Sequence, residues 1–370
     1  MRSEPTIGPG QWIGELSGEH VPRGWLTFSI EADRPKAGFA CIQQGGNVPP
    51  YRVPVSWTLN GTKATGRSSD RPLVFEQQKG ILVPYRADSG LSSFRLPNSI
   101  EFNADVDGTI ISGDWIGSHG LHGKFQVENT LSVETVADPM SWSEFKSEIS
   151  KTLYATGDGF WFRGQASSKW RLTSSFHRLG RYDLLRYEEE AMHLLRREIG
   201  SRIGRRFDLG NPVEYGALLS LAQHHGFPTP LLDWTASPYI AAYFSMKEEV
   251  KNVDKARIFA FNFEEWSKLE QPRSITNPAP AISACEFEPH DNPRHSPQQS
   301  RHTLSNVADI GGFIQIVGNQ RKCEYLKAID IPASERNLAL KDLRYMGITA
   351  ASLFPGIDGA CLALKERLFG

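Results

Sequence analysis

The chain has 370 residues, of which 39% are hydrophobic and 22% charged, a balance that excludes disordered and fibrous classes and leaves room for two domains. Its 41 basic and 42 acidic residues nearly cancel, so bulk charge draws no polyanion and any nucleic-acid contact needs a local patch. Cys41, Cys285, Cys323 and Cys361 stand far apart with no CxxC or Cys/His pairing, which argues against a zinc centre and fits a reducing compartment.

The first residues, Met-Arg-Ser-Glu-Pro-Thr, lack an apolar core, and no stretch is long and apolar enough to span a bilayer. The expectation is a cytoplasmic protein without a membrane partner. Residues 1 to about 135 read as all-β. Trp25-Leu-Thr-Phe-Ser-Ile-Glu alternates apolar and polar, as does Ser99-Ile-Glu-Phe-Asn. Asn60-Gly61 and Asp107-Gly108 are hairpin signals between such runs. Trp12, Trp25, Trp57 and Trp115 are expected to share one core. This predicts an antiparallel barrel or sandwich, a structural or recognition module.

Residues 133–139 read as a linker. Ser141-Trp-Ser-Glu144 is a capping box, and Trp142, Phe145, Ile149 and Leu153 follow at helical spacing. Gly157-Asp-Gly159 breaks this helix. Phe160-Trp-Phe162 then enters a buried strand ending in Arg163-Gly164-Gln165. A charged Arg163 beside apolar neighbours needs a partner: either a core carboxylate, or a ligand's phosphate or ribose oxygens. Residues 178–206 form a helical region with Leu184, Leu185, Ala191, Leu194, Leu195, Ile199 and Ile203 on one broad face. Arg196, Arg197, Arg202, Arg205 and Arg206 crowd its end, as a solvated face or a nucleic-acid contact.

The stretch 223–245 reads as a helix end capped at Gly226, a short strand at Leu231-Leu232, and a helix opened by Ser237-Pro238. His224, His225, Thr229, Asp233, Trp234, Thr235 and Ser237 crowd this joint. It is either a ligand site at a helix start or a well-capped connection. Beyond it, Arg257-Ile-Phe-Ala-Phe-Asn is a strand, 264–311 is irregular, and Gly312-Phe-Ile-Gln-Ile-Val and Tyr325-Leu-Lys-Ala-Ile-Asp-Ile read as strands. A helix from Ser334-Glu335 to Met346-Gly347 and a terminal helix complete the chain. The fold class is α+β, with a mixed or antiparallel sheet and flanking helices over 140–370.

Four pieces, in order, resemble the FRG family, named for its Phe-Arg-Gly signature. They are Phe162-Arg163-Gly164-Gln165; Gln223-His-His-Gly-Phe-Pro-Thr229; Leu231-Leu-Asp-Trp-Thr-Ala-Ser-Pro238; and Leu353-Phe-Pro-Gly-Ile-Asp-Gly359. In the last, Gly356 stands where the family pattern usually has aspartate. The family is distantly similar to ADP-ribosyltransferases, which implies that NAD is consumed as a substrate, with no metal. Under this resemblance Arg163, Gly164 and Gln165 close the first strand and Arg163 grips the diphosphate. Asp233 to Ser237, followed by the Tyr243-Phe244 helix, form the second element; Thr229, Thr235 and Ser237 contact the cofactor, and Trp234 or Tyr243 stacks on nicotinamide. Asp233 steadies the ribose cation, and His225 is a contact or general base. Arg294 and Gln298 form the third element, with Glu286 or Glu288 as acidic alternatives to Gln298. The implied role is a bacterial toxin or phage-defence effector that modifies a macromolecule, nucleic acid or protein, under an antitoxin or regulatory partner. The competing readings are a metal-independent nuclease using His224, His225 and Arg163, and a non-catalytic nucleotide-sensing module.

Overall fold

The computed structural model describes residues 7–19, 21–45, 48–68, 70–85, 96–129, 137–156, 159–269, 274–285 and 293–369, with backbone alone for 152–156. Ten strands form the first sheet: β1 (Gly10–Gly18), β2 (Val21–Ile30), β3 (Ala37–Gln44), β4 (Tyr51–Asn60), β5 (Lys63–Ser68), β6 (Leu73–Glu76), β7 (Ile81–Pro84), β8 (Ile100–Asp107), β9 (Ile110–Gly117) and β10 (His122–Glu128). Each pairs antiparallel with its neighbours. Because β1 pairs with β10 and β3 with β4, eight strands close into an up-and-down barrel, and β6–β7 extends from β4 as a hairpin. The two hairpin signals each close a loop of two residues, between Asn60 and Lys63 and between Asp107 and Ile110. Gly61 and Gly108 there take φ of 61° and 58°, open to glycine without strain.

Trp12, Trp57 and Trp115 pack inside the barrel, but Trp25 does not. On β2 the inward residues are Leu26, Phe28 and Ile30, so Trp25 points outward. Its ring meets Phe313 of the second unit, centroids 5.8 Å apart. The same outward faces carry a polar interface. Arg52 donates to both oxygens of Asp183 at 2.7 and 2.6 Å. Buried Glu31 accepts from the backbone N–H groups of Tyr182 and Asp183 at 3.0 and 3.1 Å. The Gln11 amide donates to the Asn306 carbonyl and accepts from Ala308 N–H. The two sheets are therefore distinct but docked through buried, satisfied polar contacts. Residues 133–136 of the expected linker lie outside the described residues.

The second sheet is mixed, in the order β11 (Asp138–Pro139), β17 (Leu326–Pro332), β14 (Lys255–Asn262), β12 (Phe160–Gln165), β13 (Leu231–Thr235), β16 (Ser300–Ser305) and β15 (Ile282–Ala284). Among the described residues only β11 and β17 pair in parallel. The capping box forms as expected: Ser141 N–H donates to the Glu144 carboxylate and Glu144 N–H to the Ser141 hydroxyl. The helix Trp142–Thr156 then buries Trp142, Phe145 and Ile149.

Three expectations change. The run at 312–317 is helical, within Ile310–Arg321, because Asp309 caps it and Ile310, Phe313, Ile314 and Val317 fall on one helical face. A short apolar run carries no period of its own, so the capping residue decided it. The irregular region 264–311 contains β15 and β16. The helical region after Arg181 passes through a π-helical stretch at Tyr187–Met192 before helix His193–Ile203. That wider turn shifts the phase, so Leu184, Tyr187, Met192 and Leu195 are buried while Leu194 and Ile203 are exposed.

Candidate functional site

The sheet is split at its centre. β12 pairs with β14 along its whole length, and β13 with β16 likewise, but β12 and β13 share the single pair Phe162–Thr235. Beyond that pair the two strands diverge, and a cleft of about 860 Å³ opens between them. Gly164 lets β12 lie against the helix Pro238–Met246: a Cβ there would sit 1.8 Å from the Ala241 carbonyl oxygen. Ser237 accepts from Ile240 N–H and so caps that helix, as its place before Pro238 predicts.

Arg163 lies deep in this cleft. One guanidinium nitrogen donates to the backbone carbonyl of Asp233 at 2.5 Å, and its Nε is buried with no hydrogen-bond partner. Burial pulls its pKa below the usual arginine range. The ion pair with a core carboxylate, one of the two sequence readings of Arg163, does not form with Asp233, whose charge acts on the guanidinium only from a distance. That carboxylate is half-exposed, accepts from the Gln223 amide, and lies 3.4 Å from His302 Nε2. Gln223 is held in turn by the buried Thr229 hydroxyl, which also accepts from Leu231 N–H. Thr229 thus shapes the joint from beneath. Burial also lowers the pKa of His302, which favours its neutral form.

Gln165 sits two residues along from Arg163, on the same face of β12. Its amide donates to the Arg171 carbonyl at 3.3 Å, while its carbonyl oxygen is buried and unpartnered. The Thr235 hydroxyl donates to the Gln298 carbonyl at 2.7 Å, and the Gln298 side chain donates to the Leu353 carbonyl at 3.0 Å. Loop residues 293–299 are thereby fixed against the end of β13. Arg294 lies over the Phe354 ring at 5.1 Å, so the Leu353-Phe354 segment forms one wall of the cleft. Arg163, Gln165, Asp233, Thr235, Arg294 and Gln298 all line the cleft.

Gly164 and Trp234 also line the cleft, but the rings expected to stack are not open to it. The Trp234 indole faces the core, only 3% exposed, and donates to the Thr303 hydroxyl at 3.0 Å. Tyr243 is buried, its hydroxyl bonded to Glu366 at 2.7 Å. Neither ring is open for stacking, because strand alternation and the helix's apolar face turn both inward. His225 is exposed at the helix end and does not line the cleft; its neighbour His224 does, with a pKa lowered by partial burial and by Arg294. Glu286 and Glu288 lie outside the described residues. None of Arg196, Arg197, Arg202, Arg205 and Arg206 lines the cleft, and Arg197 and Arg202 pair with Glu198.

The sequence reading passed over Trp170, which is 47% exposed at the cleft between Lys169 and Arg171. A tryptophan set among polar and basic residues was the available signal. With Arg163, Arg178, Lys247 and Arg294, these give the cleft six basic side chains against Asp233 and Glu248. Such a surface suits an anionic ligand. Among the described residues no group of three or more His, Cys, Asp or Glu is placed to hold a metal ion.

Residues 158–254 match the family model of the FRG domain. This segment is an FRG domain. The match spans β12, β13 and the helices between and after them, so it supplies both diverging strands of the cleft. The barrel and the segments carrying Arg294, Gln298 and Phe354 lie outside it. A search of the curated proteins finds no match. No helix among the described residues is long and apolar enough to cross a membrane.

Proposed function

We propose that the FRG cleft binds NAD as a substrate and transfers its ADP-ribose to a macromolecule. The observation that carries this reading is the Arg163 guanidinium, which lines the cleft where β12 and β13 part, bonds to a backbone carbonyl rather than to a carboxylate, and keeps its Nε buried and unpartnered. A permanent charge held there without a direct ion pair, and only partly offset by the nearby Asp233 charge, is stabilised by an anionic ligand, and a diphosphate fits the planar fork. Arg294 and Arg178 border the same space and share that charge.

The chemistry then falls to the residues at the joint. The bond between ribose C1′ and the nicotinamide nitrogen breaks, and its electron pair leaves with nicotinamide, which becomes neutral. The acceptor's lone pair bonds to C1′, and its proton passes to solvent or to neutral His224. The half-exposed Asp233 carboxylate opposes the positive charge that builds on the ribose. Gln298 and Thr235 fix the loop that meets this centre. The macromolecular target is nucleic acid or protein, and the biological role is that of a toxin or phage-defence effector held in check by a partner. That role rests on the family resemblance.

The test is incubation of the full chain with NAD labelled in its adenylate part and a bacterial lysate. Label fixed to acid-insoluble material with equimolar nicotinamide release is expected. Sensitivity of that label to nuclease or to protease identifies the target. A specific observation favours a second reading, metal-independent phosphodiester cleavage: neutral His224 and His302 stand in a basic cleft. RNA cleaved in the absence of NAD, with no label fixed, would establish that reading and remove the first.

A further inference from the structure

The barrel is not filled. Its lumen holds a cavity of about 80 Å³ to which all eight barrel strands contribute, among them Leu16 of β1, Phe28 of β2, Ile42 of β3 and Trp115 of β9. The polar side-chain groups of the lining belong to Tyr51, Ser68 and Trp115, and all already bond to protein, to the Gln44 amide, to Ile100 N–H and to the Ser17 carbonyl. Water entering this space meets few partners, and cavities of that character stay dry and take apolar molecules.

The sequence explains the space. Gly14, Gly66, Gly113 and Gly123 share the parity of inward-facing residues on β1, β5, β9 and β10, and so place no side chain in the lumen. At Gly66 a Cβ would fall 2.4 Å from the Phe102 ring, which leans over this position. Phe28, Phe102 and Phe125 form an edge-to-face series with centroids 6.5 and 6.0 Å apart. All three are inward-facing yet only half-buried, so they keep apolar surface that an occupant would cover. Eight strands give an interior just wide enough for packed side chains or for one small ligand.

We propose that the barrel lumen is a binding site for one small, uncharged aliphatic molecule. This site is separate from the FRG cleft and stands on different residues. Its volume is below the roughly 150 Å³ of a cavity that admits benzene, which limits the ligand to a molecule smaller than benzene, such as a three-carbon chain.

The test uses the full chain with methyl-labelled Leu, Ile and Val, followed by NMR with xenon, propane and benzene as probes. Xenon and propane are expected to give saturable shifts confined to lining methyls such as Leu26, Ile42, Val53 and Ile111. Ala40→Leu, which fills the lumen, should weaken both at least tenfold with the amide spectrum otherwise unchanged. Ile42→Ala, which enlarges it, should bind benzene at least tenfold tighter than the unaltered chain. Absence of saturable shifts in the unaltered chain would overturn the proposal, as would shifts scattered over exposed methyls. If Ala40→Leu fails to fold, Ile42→Ala decides, and unchanged benzene affinity there counts against the site.

Discussion

Replacing Arg163 with alanine separates a ligand-gripping residue from a structural one. Breaking a buried ion pair leaves a stranded charge and costs about 3–5 kcal/mol. Arg163 has no such pair: it makes one bond, to the Asp233 carbonyl, and its Nε is unpartnered. Its removal forfeits about 0.5–1.5 kcal/mol of hydrogen bonding. It also relieves the burial of a charge that Asp233 only partly offsets, which acts in the opposite direction. The expected net change is within about 1 kcal/mol, a melting shift of roughly 2–4 °C or less for a chain this size. Binding should respond far more. Losing one charge-assisted bond to phosphate costs about 1.5–3 kcal/mol, some 10- to 150-fold in Kd, and a bidentate contact more. Arg163→Lys should restore little, because a point charge does not reproduce the fork. Calorimetric titration with NAD and with ADP-ribose, beside thermal unfolding, reads both quantities. A stable Arg163→Ala protein with unchanged NAD affinity would refute the argument. So would a melting drop equivalent to several kcal/mol, since that would make Arg163 a structural residue.

Three further outcomes follow from the geometry. His177 is buried, with Nε2 unpartnered, and burial lowers its pKa to about 3. Its contribution is fully present above pH 6.5 and declines as pH falls toward 3, by about 2 kcal/mol at pH 5. Urea midpoints at pH 7 and pH 5 should therefore differ more for the unaltered chain than for His177→Gln, and equal differences would discount the effect. Arg52→Met strands the Asp183 carboxylate at the interface between the barrel and the second sheet. A loss of about 3–5 kcal/mol is expected in urea unfolding, with most of it recovered in Arg52→Met/Asp183→Asn. Gly164→Ala forces β12 and the helix Pro238–Met246 apart and should destabilise by about 1–3 kcal/mol or more; an unchanged melting temperature would deny the close approach.

The features legible in the sequence are those decided within a few residues. Ser141 and Glu144 cap each other, Ser237-Pro238 opens a helix, and Gly61 and Gly108 turn hairpins, because each group meets its partner within a turn of chain. Strand alternation likewise placed the all-β unit before the α+β one. The FRG signatures marked β12, β13 and the residues Arg163 and Asp233. The tertiary structure decided whatever depends on distant partners. Closure of the barrel requires β1 to meet β10 across more than a hundred residues, and its lumen exists through glycines on four separate strands. Trp234 and Tyr243 look like stacking groups in the sequence. Thr303 and Glu366, 69 and 123 residues away, hold their polar ends in the interior. Exposed Trp170 is left at the cleft instead. Arg163 could be read as charged and buried, but not as bonded to a carbonyl rather than a carboxylate. That choice was made by Gln223 and His302, which engage the Asp233 carboxylate from a helix and a strand that local sequence does not connect to β12.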